Sequence, residues 1–124
     1  MFASLSQTSS RLGIPYRVSL NARWYYILMS TLTGAGSQTL HGNPDRMTEV
    51  NKEIEAFGCE VLSQYATLGA YDFVTIIEAQ DNETVAHLSV DLASRATVKI
   101  TTLPAMPVQR LIDKMKMPHK MGKA

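Results

Sequence analysis

Five side chains have the types that a binding or reaction site needs: His41, Tyr65, Tyr71, Asp72 and Lys99. Tyrosine and aspartate supply hydrogen-bond donors and acceptors or a general acid and base, and a desolvated lysine or a loop histidine titrates near neutrality. Tyr71 and Asp72 are adjacent, so on a strand they point to opposite faces and cannot both line one surface. One of the two is therefore expected to be structural, with Asp72 accepting from backbone donors at a turn or Tyr71 packing with its hydroxyl bonded. The other then stands at the mouth of a cavity. Lys99 lies between Val98 and Ile100, so if those two face helices, Lys99 faces the opposite side together with Thr97 and Thr101. Desolvation there favours its neutral form unless Glu78 or Asp72 pairs with it, or an ion pair to a second subunit holds it charged. His41 follows a glycine-rich stretch and is the histidine best placed for a site. His87 flanks a helix stripe and His119 falls in the tail. Three separated histidines and one cysteine do not make a metal cluster, so neither metal nor cofactor is expected. Cys59 has no histidine or lysine beside it in sequence to lower its pKa and reads as an inert buried thiol. Thr33-Gly34-Ala35-Gly36 reads as a loop and lacks the Gly-Lys-Ser/Thr of a phosphate loop.

These groups need a scaffold, and 124 residues suffice for one domain with its own core. A composition 45% hydrophobic and 19% charged is that of a globular chain, which excludes disordered and collagen-like classes. The lone cysteine excludes an intrachain disulfide framework. No apolar run approaches the roughly 20 residues of a membrane span, so the expected setting is cytoplasmic. The net charge of +1 conceals a segregation. Residues 1–23 carry Arg11, Arg17 and Arg23 and no acid; residues 24–104 set Arg46, Lys52, Arg95 and Lys99 against ten acids. The last twenty residues are basic again, with Arg110 and four lysines against Asp113. An acidic body repels a phosphate backbone, so nucleic acid is not an expected partner.

Residues 1–23 show no apolar period and read as a flexible N-terminal extension. The domain is expected over 24–112, followed by a basic Met- and Lys-rich tail over 113–124. WYYILMSTL at 24–32 has strand composition. Asn43-Pro44-Asp45 predicts a helix start, and Met47, Val50, Ile54 and Phe57 form the apolar stripe of that helix, which Gly58 ends. Alternation over 59–68 and 71–78 around Gly69-Ala70 predicts a hairpin. Asp81 starts a second helix with the stripe Val85, Leu88, Leu92 and Ala96, and Thr97 to Leu103 closes the domain as a strand. Val108 to Met115 fits a short terminal helix. The order βαββαβ is ferredoxin-like: an α+β four-stranded antiparallel sheet with two helices on one face. The other face would expose Tyr25 or Tyr26, Trp24 and Tyr65, and a contiguous apolar patch of that kind marks an interface.

Thr67-Leu68-Gly69-Ala70-Tyr71-Asp72-Phe73-Val74, between YYILMSTLT and VKITTLPAMP, resembles the GYD-domain family of small prokaryotic proteins. Gly69, Ala70, Tyr71 and Asp72 occupy the places of the family's Gly-x-Tyr-Asp pattern. The resemblance implies a dimeric α+β barrel, in which two ferredoxin-like sheets pack face to face. It implies little chemistry. The chain is thus expected to be a homo-oligomeric small-molecule-binding or regulatory module, with His41, Tyr65, Tyr71, Asp72 and Lys99 as candidate ligand residues and Gly69 as the structural turn. The alternatives are a cofactor-independent enzyme of monooxygenase or isomerase type on the same barrel, resting on fold analogy, and a purely structural assembly protein.

Overall fold

The computed structural model describes residues 23–118. The expected extension up to residue 22 and the end of the basic tail, His119 included, lie outside the described residues. The elements run β1 (Trp24–Leu32), α1 (Gly34–Gly42), α2 (Arg46–Ala56), β2 (Glu60–Ala66), β3 (Phe73–Ala79), α3 (Asn82–Ala93), β4 (Val98–Ala105) and α4 (Val108–Lys116). The four strands form one antiparallel sheet in the order β2-β3-β1-β4. The fold is the expected α+β ferredoxin-like arrangement, with the short terminal helix in place as α4 and one unforeseen helix, α1, added.

The parity of the strands divides the sheet cleanly. Tyr26 and Leu28 of β1 and Thr75, Ile77 and Ala79 of β3 are buried on the helix side, where they meet Ile54 of α2 and Val85, Leu88 and Leu92 of α3. The Tyr26 hydroxyl donates to Asn82 Oδ1 at the start of α3, which satisfies the one polar group of this core ring. Asp81 caps α3 as its position predicts, its carboxylate accepting from the Thr84 backbone N–H at 2.8 Å. The Thr84 hydroxyl, donating to the same oxygen at 2.7 Å, and then that N–H hold the Asp81 carboxyl below the usual carboxylate range.

Four local expectations are corrected. Gly34 to Gly36 is no loop but the first turn of α1, capped by the Thr33 hydroxyl, which accepts from Gly36 N–H at 3.0 Å; His41 accordingly stands in the last turn of a helix. Asn43 does not cap the next helix but follows α1 as its C-cap, and α2 begins after Asp45 with no side-chain cap bond. The hairpin strand β3 starts at Phe73, leaving Tyr71 and Asp72 in the connection, where strand parity does not apply. Finally, α3 stops at Ala93, and Ala96 adopts a left-handed backbone (φ 60°) in the turn before β4 instead of extending the stripe. Gly58 and Gly69 hold φ of 92° and 116°, the conformations their turns require.

Candidate functional site

The predicted site residues do not converge. Tyr65 lies on β2 and Lys99 on β4, the two edges of the sheet, both exposed. With strands about 4.8 Å apart, three strand spacings separate them by about 14 Å. Lys99 pairs in register with Thr31 and projects to the open face, as the alternation with Val98 and Ile100 predicts; Thr97, just before the strand, lines the helix side instead. His41 is exposed on α1, which covers the helix side. His87 meets the Phe57 ring edge-on, centroids 5.0 Å apart. Cys59 is buried, and burial pushes its thiol pKa up. Among the described residues no group of three or more His, Cys, Asp or Glu side chains could hold a metal ion.

Asp72 joins three strands. Its N–H donates to Ser30 O at 2.8 Å, its carbonyl accepts from Thr67 N–H at 2.8 Å, and its carboxylate accepts from Leu32 N–H at 2.8 Å. Thr67 Oγ1 donates to the Tyr71 carbonyl at 2.7 Å, which closes the turn from the other side. The Gly-x-Tyr-Asp segment thus ties the β2–β3 connection to the end of β1, beside Ser30 and Leu32. Two variants should register this in thermal and urea melts. Asp72→Ala strips the Leu32 N–H of its charged acceptor and is expected to cost roughly 1–2 kcal/mol. Gly69→Ala meets no atom within 4 Å, so its loss of about 1 kcal/mol comes from the positive φ alone. An Asp72→Ala protein that melts like the parent would remove the carboxylate from this structural role.

A cavity of about 220 Å³ lies between the sheet and the helices, where the fold was expected to offer one, but the sequence did not reveal which residues line it. None of the five predicted residues lines it. Its apolar walls come from Leu28 of β1, Phe73 of β3, Ile100 of β4 and Val50 and Ile54 of α2, while α1 closes one side with Gly36, Thr39 and Leu40. One polar seam crosses the apolar surface. Asn51 Nδ2 donates to Gln64 Oε1 at 2.9 Å, Gln64 Nε2 donates to Asn51 Oδ1 at 3.2 Å and to Thr75 Oγ1 at 2.9 Å. The signal available in sequence was a polar residue within each apolar pattern: Asn51 one place after Val50 in α2, and Gln64 and Thr75 within strands. Nothing in sequence brings the three together; the β2–β3 register does, setting Gln64 opposite Thr75.

Arg46 and Arg95 also line the cavity, and both are held by Glu53. Arg46 further meets Glu49 at 3.2 Å and Arg95 meets Asp91 at 2.8 Å. The Arg95 hydrogen bond holds the Glu53 carboxyl below its ordinary range and the same bond raises Arg95. Two guanidiniums facing three carboxylates leave this cluster with a formal excess of negative charge.

The second uncommitted surface is the sheet face away from the helices. Ile27 and Met29 of β1 stand beside Val74 and Ile76 of β3 at its centre, flanked by Tyr25, by Tyr65 (58% exposed) and by Leu103 (41% exposed). Tyr25, not Tyr26, belongs to this face; Trp24, expected here, pairs with Ala79 and so has the parity of the helix side, exposed at the start of β1 with the Arg110 guanidinium 5.7 Å from its ring centroid. Glu78 is the acid at that end; burial first and Glu78 second raise the Tyr25 pKa. Helix α4 carries Val108, Leu111, Ile112 and Met115 on one side, all exposed.

A ferredoxin-like sheet with one bare face, its hairpin pinned by Gly-x-Tyr-Asp, defines a class. The chain matches the GYD domain over residues 26–114 and belongs to that family. It is 52% identical over 92 residues to the glutamine synthetase and cystathionine beta-lyase binding protein of Thermus thermophilus, covering 73% of this chain and 97% of the relative. Among solved structures it resembles the crystal structure of MtbAldR at 20% identity and a TM-score of 0.48, spanning 82% of this chain and 57% of that one. Among the described residues no helix is long and apolar enough to cross a membrane.

Proposed function

We propose that this protein is a homo-oligomeric regulatory module of the cytoplasm: two copies close their bare sheet faces into an α+β barrel, a small molecule occupies the helix-side cavity, and the assembly docks on other proteins. The observation that carries this reading is the apolar centre of the open face, Ile27, Met29, Val74 and Ile76 on the two middle strands. Covering it returns roughly 25 cal/mol for each Å² of apolar area removed from water. The name of the Thermus relative supports protein partners, and enzymes of nitrogen or sulfur amino-acid metabolism are the partner class it suggests. A domain over 24–112, with residues 1–23 and 113–124 as appendages, is the organisation we assign to the module. The cavity, with its apolar walls and few converging polar groups, supports the ligand component.

Native mass spectrometry of freshly purified protein reads subunit number and retained ligand together. The expected spectrum shows a dimer or a multiple of it at micromolar concentration. A monodisperse monomer would overturn the reading.

A further inference from the structure

Resting on the reading of the helix-side cavity as a ligand site, we infer that its ligand is a small uncharged molecule: an apolar body bearing one carboxamide or hydroxyl group. The size comes first. At about 220 Å³ the cavity lies below the roughly 300 Å³ at which sites for drug-sized ligands begin, so a single ring or a short branched chain is what it holds.

Charge decides the rest. The two cations on its wall are Arg46 and Arg95, and each is already engaged by carboxylates: Glu49 and Glu53 on the first, Glu53 and Asp91 on the second. A ligand carboxylate would have to compete with three protein carboxylates for two guanidiniums, in a cluster whose formal charge is already negative. An ammonium group finds no acid on the wall, because Glu53, Glu49 and Asp91 are turned to the arginines and none of them lines the cavity. Placing either ion against the apolar remainder leaves its charge unpaired.

The seam of Asn51, Gln64 and Thr75 offers the opposite chemistry. Its groups are neutral and bond one another, so the seam persists without a ligand. It nevertheless retains capacity: one Asn51 Nδ2 hydrogen and the Thr75 hydroxyl hydrogen to donate, and a second lone pair on Gln64 Oε1 to accept. A donor and an acceptor side by side on a mostly apolar wall match a group that both accepts and donates, which a carboxamide or an alcohol does and a carboxylate or an ammonium does not.

Three probes on one body separate the possibilities: 3-phenylpropanamide, 3-phenylpropanoate and 3-phenylpropylammonium, titrated into the full chain and followed by amide chemical shifts in NMR. The amide is expected to bind at least about 10-fold more tightly than either ion, with the largest shifts at Val50, Gln64 and Thr75. Ser30→Leu and Val50→Phe, which fill the cavity from two different walls, should each weaken it at least about 10-fold while an unchanged circular dichroism spectrum certifies folding. If one of the ions binds best at these same residues, the neutral class is wrong and the cavity remains a ligand site. If none of the three binds below about 10 mM, or if the shifts map to the open face of the sheet, the cavity reading itself falls.

Discussion

Gly36→Ala is expected to destabilise the protein by about 2–3 kcal/mol, although alanine is the better helix former. Gly36 is buried in the first turn of α1, and a Cβ built there lies 2.0 Å from the Thr97 carbonyl oxygen, 2.9 Å from its carbon and 3.3 Å from Leu32 Cδ2. The obstacle is backbone and it is anchored: Thr97 O accepts from Thr33 N–H at 3.0 Å, and the Thr33 hydroxyl donates to the Ala96 carbonyl at 2.8 Å. Moving α1 away therefore breaks the Thr33 cap and widens the cavity that Gly36 lines. Gly34→Ala is the control within the same helix. Its Cβ meets nothing within 4 Å, so it should leave stability unchanged or raise it by up to about 1 kcal/mol. Urea unfolding of the pair reads the difference directly, and two variants of equal stability would refute the close approach of helix and strand.

If the open sheet faces pair as proposed, Met29→Glu and Ile76→Glu are expected to leave a folded monomer. Both positions lie on the central strands and face away from the helices, so in one subunit the carboxylate stands in water and the core is untouched. In a two-fold interface every substitution occurs twice, and two unpaired charges then face one another across a dry contact. A weakening on the order of a thousandfold, roughly 4 kcal/mol, follows from such burial. Sedimentation velocity over a range of concentrations measures it. Lys52→Glu, exposed on α2 and so away from the open face, serves as the comparison, since a charge outside the contact has little effect on affinity. Dimers that persist in both central variants would place the interface elsewhere, α4 being the other exposed apolar surface.

Much of the architecture could be read from periodicity. The stripe Met47, Val50, Ile54 and Phe57 and the stripe Val85, Leu88 and Leu92 define helices because their spacing keeps one face apolar, and the strand from Trp24 to Leu32 declares itself by composition. Helix α1 escaped notice for a physical reason. Its segment GAGSQTLHG has two glycines in its first turn and no apolar period, so nothing local favours a helix. It forms because Thr33 caps it and because only a residue without a side chain lets it approach Thr97 so closely.

The site divides in the same way. Gly69 was legible as a turn residue, since a positive φ is a local requirement, whereas the Leu32 N–H that the Asp72 carboxylate accepts from lies 40 residues away. His41, Tyr65 and Lys99 stand out by side-chain type and local position, a place after glycines or a strand parity, and neither says where in the fold a residue is carried. The amino-acid sequence by itself determined the strands, the two main helices and the terminal one, the hairpin turn and the family motif, because those depend on residues within about a dozen positions of one another. The cavity, the Asn51-Gln64-Thr75 seam and the arginines shared by Glu53 were decided by tertiary structure alone. Asn51 and Arg95 stand 13 and 42 residues from the Gln64 and Glu53 partners they meet, and only the register of the sheet and the packing of α2 and α3 upon it bring those distances to zero.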